Sequence, residues 1–115
     1  MRQRNTPNEA ALLDFAESQK YEEMVAALAA LTSAPLQIIA AVMKSSLHDG
    51  VLVACKGVKL KWRTAEAILK NRFSHHKVSD LELVQAKADF IILSQVSAER
   101  TLRFWKARAM NARAR

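Results

Sequence analysis

The sequence predicts an all-α fold in which short antiparallel helix pairs pack against one long C-terminal helix, in a helical-repeat-like manner. Apolar residues recur at helical spacing along most of the chain, and only two glycines and two prolines interrupt it. The 115 residues are 50% hydrophobic, which suits one core. We therefore expect a single domain over residues 1–115, with residues 1–6 and 110–115 frayed.

The first two helices are predicted over residues 7–18 and 20–31. Thr6 and Glu9 have the spacing of a capping box, and Pro7 suits the first helical turn. The second helix opens with two glutamates, whose charge complements the positive end of the helix dipole. The pattern leaves open whether these segments form two helices or one bent helix.

The third helix is predicted over residues 36–45, because the Thr-Ser-Ala-Pro segment at 32–35 ends the second helix and starts a new one. It is apolar over most of its circumference, so we expect it to be the most buried helix. Asp49 is a favourable N-cap for a short fourth helix over residues 51–56, with Gly57 as its terminator.

The segment around Gly57 has a second interpretation. Residues 51–53 are rich in valine and residues 58–62 alternate between apolar and charged side chains, which is typical of strands. A small hairpin over residues 51–62 is therefore an alternative. We favour helix because the other segments are helical and an isolated two-stranded hairpin is barely stable in water. A fifth helix is predicted from Trp62 to Phe73.

The last third of the chain predicts one long amphipathic helix from Ser79 to Ala109. Its first four residues, Ser-Asp-Leu-Glu, form a second capping box. Apolar or small residues then recur in alternating steps of three and four, and only Gln95 breaks the series. The series is Leu81, Val84, Ala88, Ile91, Ala98, Leu102, Trp105 and Ala109. We expect this stripe to pack against the other helices, and its heptad-like spacing also permits a homodimer.

Three short motifs resemble a known family. They are Leu31-Thr32-Ser33-Ala34-Pro35-Leu36, Gly57 with Leu60-Lys61-Trp62 and Ile68-Leu69, and Leu102-Arg103-Phe104-Trp105. Residues 31–108 thereby resemble the bacterial domain-of-unknown-function family DUF2336, mainly its C-terminal portion. Lys61 departs from the pattern, since the family usually has a capping serine there. The resemblance implies an all-helical scaffold module with repeat-like helix pairs, sometimes associated with signalling proteins, and brings no catalytic residues.

The net charge of +7 is unevenly distributed, with acids near the N-terminus and cations concentrated in residues 56–77 and after residue 98. The candidate anion or nucleic-acid patch is Lys56, Lys59, Lys61, Arg63, Lys70 and Arg72. A helix, Gly57 and a basic helix resemble a helix-turn-helix. However, residues 58–61 make the turn too long, and Arg63 and Glu66 fall at positions that should be buried. Nucleic-acid binding is therefore the alternative function.

Few residues point to catalysis. Cys55 follows apolar neighbours and cannot form an internal disulfide, because it is the only cysteine. His75 and His76 are adjacent, so their side chains diverge, and no third ligand stands at helical spacing. His48 and Asp49 are better interpreted as a helix boundary. We predict no enzymatic activity, no metal and no cofactor; a pocket joining Cys55 to any of these histidines would favour an enzyme.

Protein interaction is the function that the sequence favours. Trp105 lies on the apolar stripe, whereas Phe104 points about 100° away from it. Aromatic residues beside arginines are enriched at protein interfaces. The candidate partner surface is therefore Arg103, Phe104 and Lys106. The alternative for Phe104 is packing against the fifth helix near Trp62.

Residues 35–43 form the longest nearly apolar run, which is too short to span a membrane, and no leader-like segment precedes it. With a single cysteine, the chain does not require an oxidising compartment. We therefore expect a cytoplasmic protein whose partner is an unknown protein or a second copy of the chain.

Overall fold

The computed structural model describes residues 8–73 and 77–114, with side chains described as far as Arg108. These residues form seven helices and no strand, which confirms the all-α prediction. The helices are α1 (Glu9–Glu17), α2 (Tyr21–Thr32), α3 (Leu36–Lys44), α4 (Asp49–Gly57), α5 (Trp62–Asn71), α6 (Asp80–Ile92) and α7 (Gln95–Ala114). Within the described ranges, no helix is both long and apolar enough to cross a membrane.

The segments before residue 33 are two helices joined by a tight turn. The N-cap of α1 is Asn8, whose side-chain oxygen accepts a hydrogen bond from the Ala11 N–H at 2.8 Å. The predicted cap, Thr6, lies outside the described residues. Gln19 adopts a left-handed conformation with φ of 59° and ends α1, and the Lys20 N–H donates to the Phe15 carbonyl at 2.9 Å.

The central helix is α4, so the prediction that α3 is the most buried helix is wrong. Helix α4 packs against α2, α3, α5, α6 and α7, and its Val51 and Cys55 are fully buried. Helix α3 packs chiefly against α2 and α4. It buries Ile39 and Met43 completely, while Leu36 remains 55% exposed. An apolar circumference therefore does not by itself place a helix at the centre.

Residues 49–57 are helical, and the hairpin alternative is wrong. His48 occupies the N-cap position and Asp49 is the first helical residue, which corrects the predicted Asp49 cap. Gly57 is the last helical residue rather than the terminator, since the left-handed position is Lys59 with φ of 64°. The Leu60 N–H donates to the Cys55 carbonyl at 2.9 Å and closes this end of α4.

Gly57 has a different role, because α7 crosses α4 directly over it. A Cβ atom at this position would overlap Leu102 Cδ1 and lie 3.0 Å from Leu102 Cγ. The Gln95 side-chain amide also donates to the Gly57 carbonyl at 3.2 Å. The absence of a side chain at Gly57 thus allows α7 to approach the central helix closely.

The prediction of a single long helix over residues 79–109 is wrong. The first helix of this segment ends at Ile92, and a second begins at Gln95. Leu93 is extended, with φ of −68° and ψ of 125°. Ser94 then caps α7, because its Oγ accepts a hydrogen bond from the Ser97 N–H at 2.9 Å. The capping box at Ser79 is confirmed, and it begins α6. The break lets α6 and α7 pack separately onto α4.

Candidate functional site

Helix α6 carries apolar residues on two opposite sides. Its inner side buries Ala86 and Phe90 in the core. The outer side consists of Leu81, Val84, Ala88, Ile91 and Ile92, and we call it the outer face of α6. Val84 precedes Ala86 by two residues, which corresponds to about 200° around a helix, so the outer face points away from the core.

The prediction that the apolar stripe packs against the other helices is therefore correct for its second half and wrong for its first half. Ala98 is fully buried and Leu102 is 6% exposed, as the stripe predicts. Leu81 and Val84 instead expose 78% and 65% of their surface. Ile91 and Ile92 are equally uncovered, at 65% and 80%. Four large apolar side chains thus lie exposed along one side of α6.

The orientation of α6 depends on contacts made by Phe90. Its carbonyl accepts a hydrogen bond from Lys56 Nζ at 2.7 Å, and the same ammonium lies 4.3 Å from the centre of its ring. The ring also packs against Trp62, with centroids 5.7 Å apart. These contacts turn the Phe90 side of α6 inward and leave the outer face of α6 in solvent.

Helix α7 presents the candidate partner surface predicted from the sequence. Arg103, Phe104 and Lys106 are all exposed, and Phe104 retains 57% of its accessible surface. The Arg108 guanidinium lies 5.7 Å from the centre of the Phe104 ring. Trp105, in contrast, is half-buried and packs against the core. The surface is thus an exposed aromatic ring surrounded by cations.

The candidate anion patch is divided by the fold. Lys56 bonds to Phe90, and Arg72 is 7% exposed and donates through a guanidinium nitrogen to the Val42 carbonyl at 3.2 Å. Burial lowers the pKa of Arg72 from its ordinary value. The four exposed members are Lys59, Lys61, Arg63 and Lys70. The exposed cationic surface of this segment is therefore smaller than the sequence predicts.

His48 contacts a carboxylate that lies 41 residues away in the sequence and was not predicted beside it. Its Nε2 lies 2.7 Å from Asp89 Oδ2 on α6, and Gln85 donates to the other Asp89 oxygen at 3.0 Å. Hydrogen bonds from His48 and then Gln85 lower the pKa of Asp89. Asp49 completes a group whose three potential ligand atoms lie within 4.8 Å of one another. A cation held there would replace the hydrogen bond that joins His48 to α6.

Cys55 lies apart from this cluster and is fully buried. Burial, together with the negative charge of Glu9, raises the pKa of its thiol to about 12. His48 is bonded to Asp89 instead, and His75 and His76 fall outside the described residues. In the part of the chain that is described, Cys55 has the environment of a packing residue.

Glu9 of α1 forms two hydrogen bonds to the start of α5 that the sequence did not predict. Its Oε2 accepts a hydrogen bond from the Lys61 N–H at 2.8 Å and another from Thr64 Oγ1 at 2.6 Å. Burial alone raises the pKa of Glu9, but these two hydrogen bonds outweigh it and hold the pKa below its ordinary value. A carboxylate from α1 therefore caps α5, where Lys61 provides no side-chain cap.

The family model described as "Uncharacterised protein conserved in bacteria (DUF2336)" matches residues 1–103. The chain belongs to the DUF2336 family. The match confirms the resemblance and extends it over α1 and α2, beyond the residues 31–108 that carry the motifs. The DUF2336 region ends at Arg103, so Phe104 and Lys106 of the candidate partner surface lie just after it. No curated protein and no solved structure matches the chain.

Proposed function

We propose that this DUF2336 protein is a non-catalytic helical interaction module with a regulatory role in the cytoplasm. One observation carries the proposal. Among the described residues, eight large apolar side chains are exposed, and six of them lie on α6 and α7. The six are Leu81, Val84, Ile91, Ile92, Val96 and Phe104. Clustering on two consecutive helices is typical of a binding surface, whereas scattered exposure is ordinary.

The surface of α7 favours a protein partner with an acidic patch around an apolar pocket. Phe104 supplies an aromatic anchor, and Arg103, Lys106 and Arg108 surround it with positive charge. Exposed aromatic and arginine side chains together dominate the binding energy of many interfaces. Acidic groups on a partner would speed its association with this end of the molecule.

A non-catalytic role also agrees with the environments of the reactive side chains. The thiol of Cys55 is buried and has a raised pKa, so it is a poor nucleophile at neutral pH. The imidazole of His48 is hydrogen-bonded to Asp89, 2.7 Å away. The nucleic-acid alternative has less support, because Lys56 and Arg72 bond to backbone carbonyls inside the fold.

The Phe104→Glu variant tests the proposal. We expect it to keep its helical circular-dichroism signal, because the ring is 57% exposed, and to lose the partner captured from cells that express the wild-type chain natively. Leu36→Glu is the matched control, since it places the same charge at a residue that is 55% exposed on α3. Equal capture by both variants and the wild type would refute the role of this surface. Loss of helicity in Phe104→Glu would mean that the ring packs inside the fold.

A further inference from the structure

We propose that a cavity beside Arg72 binds a small organic carboxylate. The cavity lies where the C-terminal ends of α3 and α5 meet the N-terminal end of α6. Its volume is about 290 Å³. Ligand pockets commonly measure about 300–1,000 Å³, so a ligand at this site is small. The site goes beyond the interaction function proposed above, since its described lining includes no residue of α7.

Arg72 is the residue that points to a ligand. It lines the cavity and is only 7% exposed. Its Nη1 donates to the Val42 carbonyl in the last turn of α3, but its Nε is buried and has no hydrogen-bond partner. Within the part of the chain that the structure describes, Arg72 forms no ion pair. A buried charge is costly unless it is paired and hydrogen-bonded, so an anion in this cavity would stabilise the guanidinium.

Two contacts hold the guanidinium beside the cavity. The hydrogen bond to the Val42 carbonyl ties it to α3 at 3.2 Å, and its Cζ lies 4.5 Å from the centre of the Phe73 ring. A cation that the fold already fixes loses little conformational freedom on binding, which favours even a small ligand. Lys44 and Ser46 are exposed and line the same cavity. Their ammonium and hydroxyl groups can donate hydrogen bonds to a carboxylate.

The charges around the cavity favour a ligand with one negative charge. The cations Lys44 and Arg72 and the acid Glu82 line it, which leaves a balance of one positive charge. Glu82 Oε1 accepts a hydrogen bond from the Ser79 N–H at 3.0 Å, as part of the capping box of α6. The negative charge of Glu82 opposes an anion, and it opposes a doubly charged phosphate more than a carboxylate.

The rest of the described lining is apolar and consists of Leu69, Phe73 and Val78. Aliphatic and aromatic surface of this kind favours a ligand with a short hydrocarbon body, because binding removes the apolar surface of that body from water. An inorganic anion would make no use of these side chains. Benzoate and hexanoate each combine one carboxylate with a short hydrocarbon body, and they differ in its shape. They are therefore suitable probes.

The first test is a titration of the isotope-labelled full chain with benzoate, followed by NMR. We expect the backbone amides of Ser46 and Val78 to shift with a dissociation constant in the millimolar range, since the ligand has few atoms. Benzamide has the same shape without the charge and should bind about tenfold more weakly. Equal binding of benzoate and benzamide would overturn the proposal. So would the absence of amide shifts with both benzoate and hexanoate at tens of millimolar.

The second test changes the charges around the cavity. Lys44→Gln should weaken benzoate binding about tenfold, because it removes one charge-assisted hydrogen bond. Lys87→Gln is the matched control, since Lys87 is exposed on α6 and is not among the described lining residues. Glu82→Gln keeps a side chain that suits a capping box and removes the negative charge, so it should strengthen binding. Equal affinities of the Lys44→Gln and Lys87→Gln chains would refute the site, and so would the lack of any gain in Glu82→Gln.

These results separate the carboxylate site from the partner surface on α7. Phe104→Glu should bind benzoate as the wild type does, because Phe104 is not among the described lining residues. A chain that captures a protein through Phe104 but binds neither carboxylate would refute the cavity site and leave the interaction module intact. A chain that binds benzoate but captures no protein would support the cavity site and refute the partner surface.

Discussion

At the scale of single residues, Glu9 links the first helix to the start of the fifth. Its carboxylate accepts hydrogen bonds from the Lys61 N–H and the Thr64 hydroxyl and so caps α5 from another helix. Lys61 is the N-cap residue of α5, and its own side chain forms no cap hydrogen bond. From 52 residues away, Glu9 accepts the hydrogen bond of the Lys61 N–H, which in a capping box goes to a glutamate at the third helical position; here that position is Thr64.

This contact predicts a pH-dependent stability. Because the pKa of Glu9 is lowered in the fold, its stabilising effect is present above the ordinary carboxyl pKa and is lost as the pH falls through the lowered value. Glu9→Gln should therefore decrease the free energy of unfolding by about 0.5–1 kcal/mol at neutral pH. The difference should shrink as the pH falls below the ordinary carboxyl pKa and disappear below the lowered pKa of Glu9. Urea denaturation at several pH values measures it.

Asp14→Asn is the matched control for this prediction, since Asp14 is an exposed acid on the same helix. It should change the free energy of unfolding much less than Glu9→Gln at neutral pH. A difference between wild type and Glu9→Gln that stays constant from neutral to acidic pH would show that the charge of the carboxylate does not stabilise the fold.

Gly57 yields a second prediction at this scale. Gly57→Ala should destabilise the fold by about 1–3 kcal/mol, because the added methyl group overlaps Leu102 and forces α7 away from α4. In the Leu102→Ala background the space is open, and alanine is the better helix former by about 1 kcal/mol. There the same substitution should be neutral or stabilising. A double-mutant cycle by urea denaturation measures the coupling, and additive effects would contradict it.

At the scale of elements, the sequence predicted the helices well and their ends less well. Where a local cap defines a boundary, as at Ser79, the prediction agrees with the structure. The break at Leu93 was missed, because the three-four spacing of apolar residues continues on both sides of it. Ser94 caps α7, but one serine within an apolar series is a weak signal. A helix end marked by a capping motif is thus easier to predict than a break within a continuous series of apolar residues.

The sequence also could not predict which side of α6 is buried. Val84 and Ile91 belong to the regular series and are exposed, whereas Ala86 and Phe90 lie outside it and are buried. The choice depends on tertiary contacts, among them the hydrogen bond from Lys56 to the Phe90 carbonyl. Periodicity identifies the faces of a helix, but only packing decides which face meets the core. The outer face of α6 was therefore predicted as a stripe and not as a free surface.

At the scale of the whole molecule, the radius of gyration of 13.8 Å is close to the ~13 Å of a compact domain of about 100 residues. This fold buries or pairs some of the cations of the candidate anion patch. Lys56 and Arg72 bond to carbonyls of other helices, and Lys70 lies 3.9 Å from Glu66. The net charge of +7 therefore overstates the cationic surface available in residues 56–77.

This distribution predicts how the protein responds to DNA. Each DNA phosphate that a cation neutralises contributes about −0.9 to the slope of the logarithm of the binding constant against the logarithm of the salt concentration. The four exposed cations of the candidate anion patch therefore support a slope of about −3.6, whereas all six members of the patch would give about −5.4. We expect binding of a generic duplex to be lost at about 150 mM salt, measured by fluorescence anisotropy. The triple variant K59Q/K61Q/R63Q assigns any slope to this segment, because it leaves the cations of α7 unchanged. Tight binding at that salt which the triple variant removes would favour nucleic acid over a protein partner.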